Sequence, residues 1–224
     1  QPLLFNSTTG SLAIAHNGNI VNATRLKRNL EQQGSIFQTT SDTEVLAHLI
    51  KKSKLATFEE RAKQALSLLE GAFAVCILTD HGMLVAQDPQ GMRPLSLGKL
   101  GDAWVVASET NAFDIIGAEL VRSIDPGELL IINNDGCRST RYVEKKDRAI
   151  CTMEYVYFSR PDSDIDGINI HMARKRLGKQ LAKELTIDAD VVTGVPDSSI
   201  SAAIGFSEAT GIPYELGLIK NRYV

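Results

Sequence analysis

The spacing of apolar residues changes twice along this chain, and a chain that switches period must build more than one kind of layer. Up to about residue 70 the spacing is helical. Asn22 stands where a cap would, before a run in which Leu26 and Leu30 share a face, and Gly34 follows as a stop. Ser41-Asp42-Thr43-Glu44 and Thr57-Phe58-Glu59-Glu60 both have capping-box spacing. The first predicts a helix burying Val45, Leu46, Leu49 and Ile50. The second predicts one burying Ala62, Ala65, Leu66 and Leu69, with Gly71 at its end.

The pattern then becomes that of strands. Residues 72–79, 83–87, 103–107, 120–123 and 128–133 are apolar runs, separated by the turn signals Asp80-His81-Gly82, Asp125-Pro126-Gly127 and Asn134-Asp135-Gly136. A loop is expected over 88–94 and a further strand over 11–15. Helices followed by an antiparallel run predict α+β layers, with a sheet sandwiched between helices.

Residues 144–148, Glu-Lys-Lys-Asp-Arg, form a charged linker and predict a boundary, giving domains 1–147 and 148–224. Beyond it the order reads strand (152–158), helix (171–185), buried strand (190–195), helix (198–210) and short strand (213–216). Met172, Leu177, Leu181 and Leu185 fall on one side of the first helix. Such alternation is the α/β signature of a parallel sheet with crossover helices.

Composition narrows the function classes. Apolar content of 43%, charged content of 23% and a net charge of −3 are those of an ordinary globular chain without a basic, aromatic-interleaved patch, so nucleic-acid binding has no support. No apolar stretch reaches the roughly 18 residues that a membrane-spanning helix needs. Cys76, Cys137 and Cys151 lack metal-finger spacing and make an odd count, so a reducing cytoplasm is expected rather than a disulfide framework.

Several segments admit both a structural and a chemical role. Asn17-Gly18 has the residues of a tight turn, yet an Asn amide and a Gly N–H can also converge on a developing oxyanion. Asp42 complements a helix N-terminus, or pairs with a substrate ammonium. Asp197 and Ser198 precede a helix as N-caps, or as part of an anion site. Lys220 and Arg222 read as solvated charges, and Cys151 as an inert buried thiol.

Taken together, Ala15-His16-Asn17-Gly18-Asn19, Ser41-Asp42-Thr43-Glu44, the segment 189–199 with Val195-Pro196-Asp197-Ser198-Ser199, and Lys220-Asn221-Arg222-Tyr223 closely resemble the glutamine phosphoribosylpyrophosphate amidotransferase family, along all 224 residues. The resemblance implies an incomplete N-terminal-nucleophile αββα glutaminase sandwich, followed by the first part of a type I phosphoribosyltransferase sheet. It implies that Asn17 and Gly18 form an oxyanion hole and that Asp42 holds the α-amine of glutamine. Ser198 would lie near Mg²⁺ and phosphate. Lys220 and Arg222 would contact 5-phosphoribosyl diphosphate or inhibitory purine nucleotides. Cys151 matches a position that carries a [4Fe–4S] ligand in some members.

In that family ammonia released from glutamine converts 5-phosphoribosyl diphosphate to 5-phosphoribosylamine, opening purine nucleotide synthesis, in an oligomeric cytoplasmic enzyme. The family's N-terminal Cys nucleophile and a substrate-gripping Arg have no counterpart here, nor has its acidic phosphoribosyl loop. Cys76 sits inside an apolar strand and Cys137 at a turn, so neither replaces the nucleophile. The expectation is therefore an internal fragment lacking both ends and inactive by itself. Another class II amidotransferase, such as glucosamine-6-phosphate synthase, and a non-catalytic nucleotide-binding regulator are the alternatives. The Pro-Asp-Ser-Ser and Lys-Asn-Arg-Tyr segments argue against the first.

Overall fold

The computed structural model describes residues 1–7 and 10–221; Arg222 lies outside the described residues. The chain folds into two compact units, and it does not divide between them at a single point. The first unit comprises residues 1–108 and 121–150, and the second residues 109–120 and 151–224. The boundary expected at 147/148 thus lies three residues early, and the segment 109–120, expected to belong with the first half, packs with the second.

The first unit is built on a six-stranded antiparallel sheet. Its strands are β1 (Leu3–Ser7), β2 (Gly10–Ile20), β3 (Gly71–Thr79), β4 (Gly82–Gln87), β8 (Glu128–Asn133) and β9 (Gly136–Arg141), lying in that order across the sheet. A smaller sheet of three strands has the order β6 (Ala103–Ala107), β5 (Ser96–Leu100), β7 (Glu119–Ser123).

Alternation along the large sheet sends side chains to two cores. Leu12, Ile14, Phe73, Val75, Ile77, Leu84 and Leu129 face the helices α1 (Ala23–Gln32), α2 (Thr43–Lys52) and α3 (Phe58–Ser67). There they meet Leu26, Leu30, Leu46, Ile50, Ala62 and Leu66, most of the helical core that the sequence predicts. The intervening residues Ala74, Val85 and Leu130 face the other way and pack with Leu95, Leu97 and Ile124. Each fully buried large apolar side chain contributes about 1.5–3 kcal/mol, so the two-sided burial fixes the strand register.

Some local expectations change. Thr57 and Glu60 do form a reciprocal capping box at α3. Asn22 does not cap α1 with its side chain. Instead its amide donates to Leu68 O and accepts from Glu70 N–H, tying the end of α3 to the start of β3. Ser41–Glu44 is not a capping box either, because the Glu44 carboxylate is taken by Gln38 N, Thr39 N and Thr39 Oγ1 at 2.7–2.8 Å. Strands β1, β5 and β9 and the short helix α4 (Asn111–Ile116) were not anticipated.

In the second unit a hairpin of β10 (Asp164–Ile165) and β11 (Ile168–Asn169) leads into α5 (Ile170–Glu184), which packs on α6 (Ile200–Thr210). The strand expected over 152–158 is a single π-helical turn over Glu154–Phe158. Its β-prone residues are overridden by Arg174, whose guanidinium donates to Tyr155 O and Ser159 O, both at 2.7 Å. The helix at 170–184 forms, but Met172, Leu177, Leu181 and Leu185 remain exposed, while Ile170, Ala173, Arg174 and Gly178 are buried. Gly178 and Gly205 explain the difference. A Cβ on Gly178 would lie 1.9 Å from Ala202 O, and one on Gly205 would lie 2.1 Å from Lys175 O. The helices therefore meet backbone to backbone, through small residues. The strand expected over 190–195 is not buried. Among the described residues its parallel pairing is one bridge, Val192 to Tyr214.

Candidate functional site

The residues 16–19 do not turn. They continue β2 through to Ile20, because β2 pairs with β3, far along the chain, rather than folding back on itself. Gly18 stands opposite Phe73. Phe73 commits both its backbone groups to the other side. Its N–H donates to Asp88 Oδ2 at 3.2 Å, and its carbonyl accepts from Asp88 N–H at 2.8 Å. In an antiparallel ladder a residue pair either exchanges hydrogen bonds or points its backbone groups apart. The N–H of Gly18 therefore points away from β3, as do those of His16 and Ile20.

What meets these three N–H groups differs. His16 N–H donates to Gln1 Oε1 at 2.6 Å, and Ile20 N–H donates to Asp42 Oδ2 at 2.8 Å. Between them Gly18 N–H has no strand partner among the described residues. The structure thus brings Asp42 and Gly18 to one edge of β2, two residues apart, or about 7 Å at the rise of a strand. Asp42, Asn19 and Ile20 also line a cavity of about 270 Å³.

Asn17 is exposed, and its Nδ2 donates to Ser108 Oγ at 3.2 Å. That bond uses one amide hydrogen and leaves the other available. Asp42 makes no side-chain cap to α2. Its Oδ1 lies 3.5 Å from Thr43 Oγ1, on the first residue of its own helix, and 3.7 Å from His16 Nδ1, so its contacts tie the start of α2 to β2. Burial holds the His16 imidazole below its ordinary pKa, with Asp42 opposing that shift and Arg93 reinforcing it.

Sequence reasoning missed Asp88, Ser108 and the roles of His16 and Thr43. Ser108 carries no local signal. Asp88 opens a Pro- and Gly-containing loop and is fully buried, with its carboxylate also accepting from Gln90 N–H at 3.0 Å and Met92 N–H at 2.9 Å. Burial pushes the Cys76 thiol up to about 11 and raises that of Cys137, which fits inert, partly buried thiols rather than nucleophiles.

In the second unit Asp197 and Lys220 line one cavity of about 630 Å³, together with Pro196, Ile200, Leu218 and Asn221. Ser198 is not among them. It lines a separate groove with Tyr157, Leu177 and Leu181. Neither Asp197 nor Ser198 caps α6; Ser199 occupies the cap position, and its hydroxyl donates to Val195 O at 2.5 Å. Among the described residues no group of three or more His, Cys, Asp or Glu could hold a metal. Cys151 is a free, half-buried thiol, and one thiolate does not make the four-ligand site that a [4Fe–4S] cluster takes. No described helix is long and apolar enough to cross a membrane.

The chain is 67% identical to an amidophosphoribosyltransferase of Bacillus subtilis (strain 168) and 50% identical to one of Staphylococcus aureus (strain MRSA252), in each case over the whole of this chain. It spans about half the length of these relatives, 47% and 46%. Among solved structures it superposes on a glutamine phosphoribosylpyrophosphate amidotransferase from B. subtilis complexed with ADP and GMP. That match has a TM-score of 0.95 and 66% identity, and it covers all of this chain and 49% of that one. A second, described as the allosteric regulatory enzyme of purine biosynthesis, gives a TM-score of 0.96 at 67% identity, covering all of this chain and 48% of that one. The family model described as a glutamine amidotransferase domain matches residues 1–114, the stretch that holds Asn17, Gly18 and Asp42. With just over half its length matched in this way, the chain belongs to the glutamine amidotransferase domain family.

Proposed function

We propose that this chain is part of an amidophosphoribosyltransferase, in which ammonia from glutamine displaces pyrophosphate from 5-phosphoribosyl diphosphate to give 5-phosphoribosylamine for purine synthesis. Identity of 67% along the whole chain to a relative of that name supports the reading. The observation that carries the glutamine half is the Gly18 N–H, without a strand partner among the described residues, on the same strand edge as the Asp42 carboxylate. Asp42 binds the substrate ammonium. When a thiolate adds to the amide carbon, charge develops on the amide oxygen, and Gly18 N–H and the second hydrogen of Asn17 Nδ2 donate to it. Both donors are held beforehand, Gly18 by the ladder and Asn17 by Ser108, so little reorganisation is needed as the charge forms.

On this reading the two-sheet unit is a portion of an N-terminal-nucleophile αββα sandwich, and the second unit is a portion of a type I phosphoribosyltransferase. Lys220, on the cavity with Asp197, donates to the phosphates of substrate or of an inhibitory purine nucleotide, and Arg222 extends that set. Ser198 and Mg²⁺, and Cys151 and a [4Fe–4S] cluster, belong to the same proposal only with donors beyond those the described residues bring together. The function remains that of a cytoplasmic homo-oligomer in this proposal.

The test is Asn17→Ala in the full-length protein. Glutamine-dependent turnover should fall roughly 10²–10³-fold in kcat, the cost of one preorganised donor. Turnover with free ammonia should persist, because ammonia bypasses this site. An equal loss with both nitrogen sources would remove the assignment.

A further inference from the structure

The buried face of β2 carries a polar contact that the reaction just described does not use. His16 is almost fully buried between the sheet and the helical layer, and its Nδ1 lies 3.0 Å from Thr43 Oγ1. Thr43, the first residue of α2, is as deeply buried. Its hydroxyl lies in turn 3.5 Å from Asp42 Oδ1. The other imidazole nitrogen, Nε2, is buried without a hydrogen-bond partner among the described residues.

We propose that His16 and Thr43 form a directed relay, from Nδ1–H to Thr43 Oγ1 and from Thr43 Oγ1–H to Asp42 Oδ1, which orients the Asp42 carboxylate for the ammonium of an α-amino acid. His16 and Thr43 are positioning residues here and touch no substrate. This rests on the reading of Asp42 as the ammonium anchor.

Three points support the direction of the relay. A carboxylate can only accept, so the Thr43 hydrogen is spent on Asp42 and Thr43 Oγ1 is left to accept from His16. A neutral imidazole protonated on Nδ1 presents a bare lone pair at Nε2, the form in which a buried, unpartnered nitrogen costs least. Finally, Ile20 N–H already fixes Oδ2 at 2.8 Å, so one further donor on Oδ1 defines the carboxylate plane. The 3.5 Å step is long, as such contacts often are before a substrate is bound.

The charged groups that face His16 are Asp42, from the start of α2, and Arg93, from the loop after β4. Burial favours the neutral ring at neutral pH. A protonated ring would place a second cation beside Asp42, where it would compete with the substrate ammonium. It would also add an Nε2–H with no acceptor among the described residues.

The test compares Thr43→Val, which keeps the shape and removes the hydroxyl, with Thr43→Ser, which keeps the hydroxyl, in the full-length protein. Thr43→Val should raise the glutamine KM about tenfold, the worth of a hydrogen bond to a charged group, with kcat changing far less. Thr43→Ser should stay near the parent. Ammonia-dependent turnover reports whether each variant is folded. The parent's glutamine KM should also rise as pH falls and His16 takes up a proton, and His16→Asn, which retains an amide donor near Nδ1, should flatten that rise.

Equal glutamine KM values for Thr43→Val and Thr43→Ser would overturn the relay. If Thr43→Val fails to fold, His16→Leu against His16→Asn decides in its place: the relay requires a raised KM in the first and a near-normal KM in the second. Asp42→Asn, measured alongside, separates the two levels of the argument. An unchanged KM in Asp42→Asn removes the ammonium anchor itself, whereas a raised KM there with a normal Thr43→Val removes only the relay.

Discussion

Gly18 faces Phe73 across the β2–β3 ladder with its backbone at φ +147°, and a Cβ placed on it would lie 2.0 Å from Ala72 O. The residue proposed to donate to the oxyanion is thus one that only glycine can occupy. Gly18→Ala must open the ladder or shift β2, and should cost more than about 2 kcal/mol. Urea denaturation checks the cost. The variant should also lose glutamine-dependent turnover well before it loses ammonia-dependent turnover.

Asp88 supports the same pair from behind. Its buried carboxylate accepts from the N–H groups of Phe73, Gln90 and Met92. Asp88→Asn turns an amide NH₂ toward backbone donors, and should cost about 1.5–3 kcal/mol, the worth of a hydrogen bond to a charged group. Hydrogen exchange at the Phe73 and Met92 amides should accelerate together. Protection that persists at Phe73 would show that the loop and the strand are not coupled through this side chain.

Glu44 gives a stability effect with a defined pH sign. Burial alone would raise its carboxyl, but hydrogen bonds from Gln38 and Thr39, with the His48 imidazole 3.6 Å away, outweigh that and hold it below 4.5. The folded state therefore binds fewer protons than the unfolded one over that window. The contribution is full above about pH 4.5 and is lost as pH falls through the lowered folded value. Glu44→Gln should cost about 1.5–3 kcal/mol at pH 7. In denaturant titrations the gap to the parent should narrow below pH 4.5, and a gap that widens there would contradict the assigned direction.

The contact between α5 and α6 offers a prediction independent of any ligand. Gly178→Ala pushes a methyl group into the Ala202 carbonyl and should cost about 1–3 kcal/mol by overpacking. A thermal melt of the variant should show the loss. Gly205→Ala should give a similar loss, and the double variant less than the sum, because one separation of the helices relieves both clashes.

Which features could be read from sequence follows from the range of the interactions that decide them. The capping box at Thr57 and Glu60 is decided within one turn, and it forms as expected. At Ser41–Glu44 the same spacing fails, because Glu44 finds three donors in the chain just before it. Asn17-Gly18 looks locally like a hairpin, but its conformation is set by residues 71–74, which lie across the ladder. The apolar stripe of α5 is legible as a stripe, yet periodicity cannot say that the neighbouring helix would choose the glycine face instead. Asn17, Gly18 and Asp42 were identified from motif resemblance, whereas Asp88, Ser108 and Thr43 became visible only once long-range pairing had placed them.

The chain passes between its two units three times, after residues 108, 120 and 150. A gene cut once near the charged linker would therefore yield two polypeptides of which neither is whole. The upstream piece would carry twelve residues, 109–120, with their folding partners removed, and the downstream piece would lack the Glu109 carboxylate that accepts from Arg160 N–H and Ser163 Oγ. Split-protein reporters and separately expressed halves of this chain would need a circular rearrangement or a grafted loop, not simply a new stop codon.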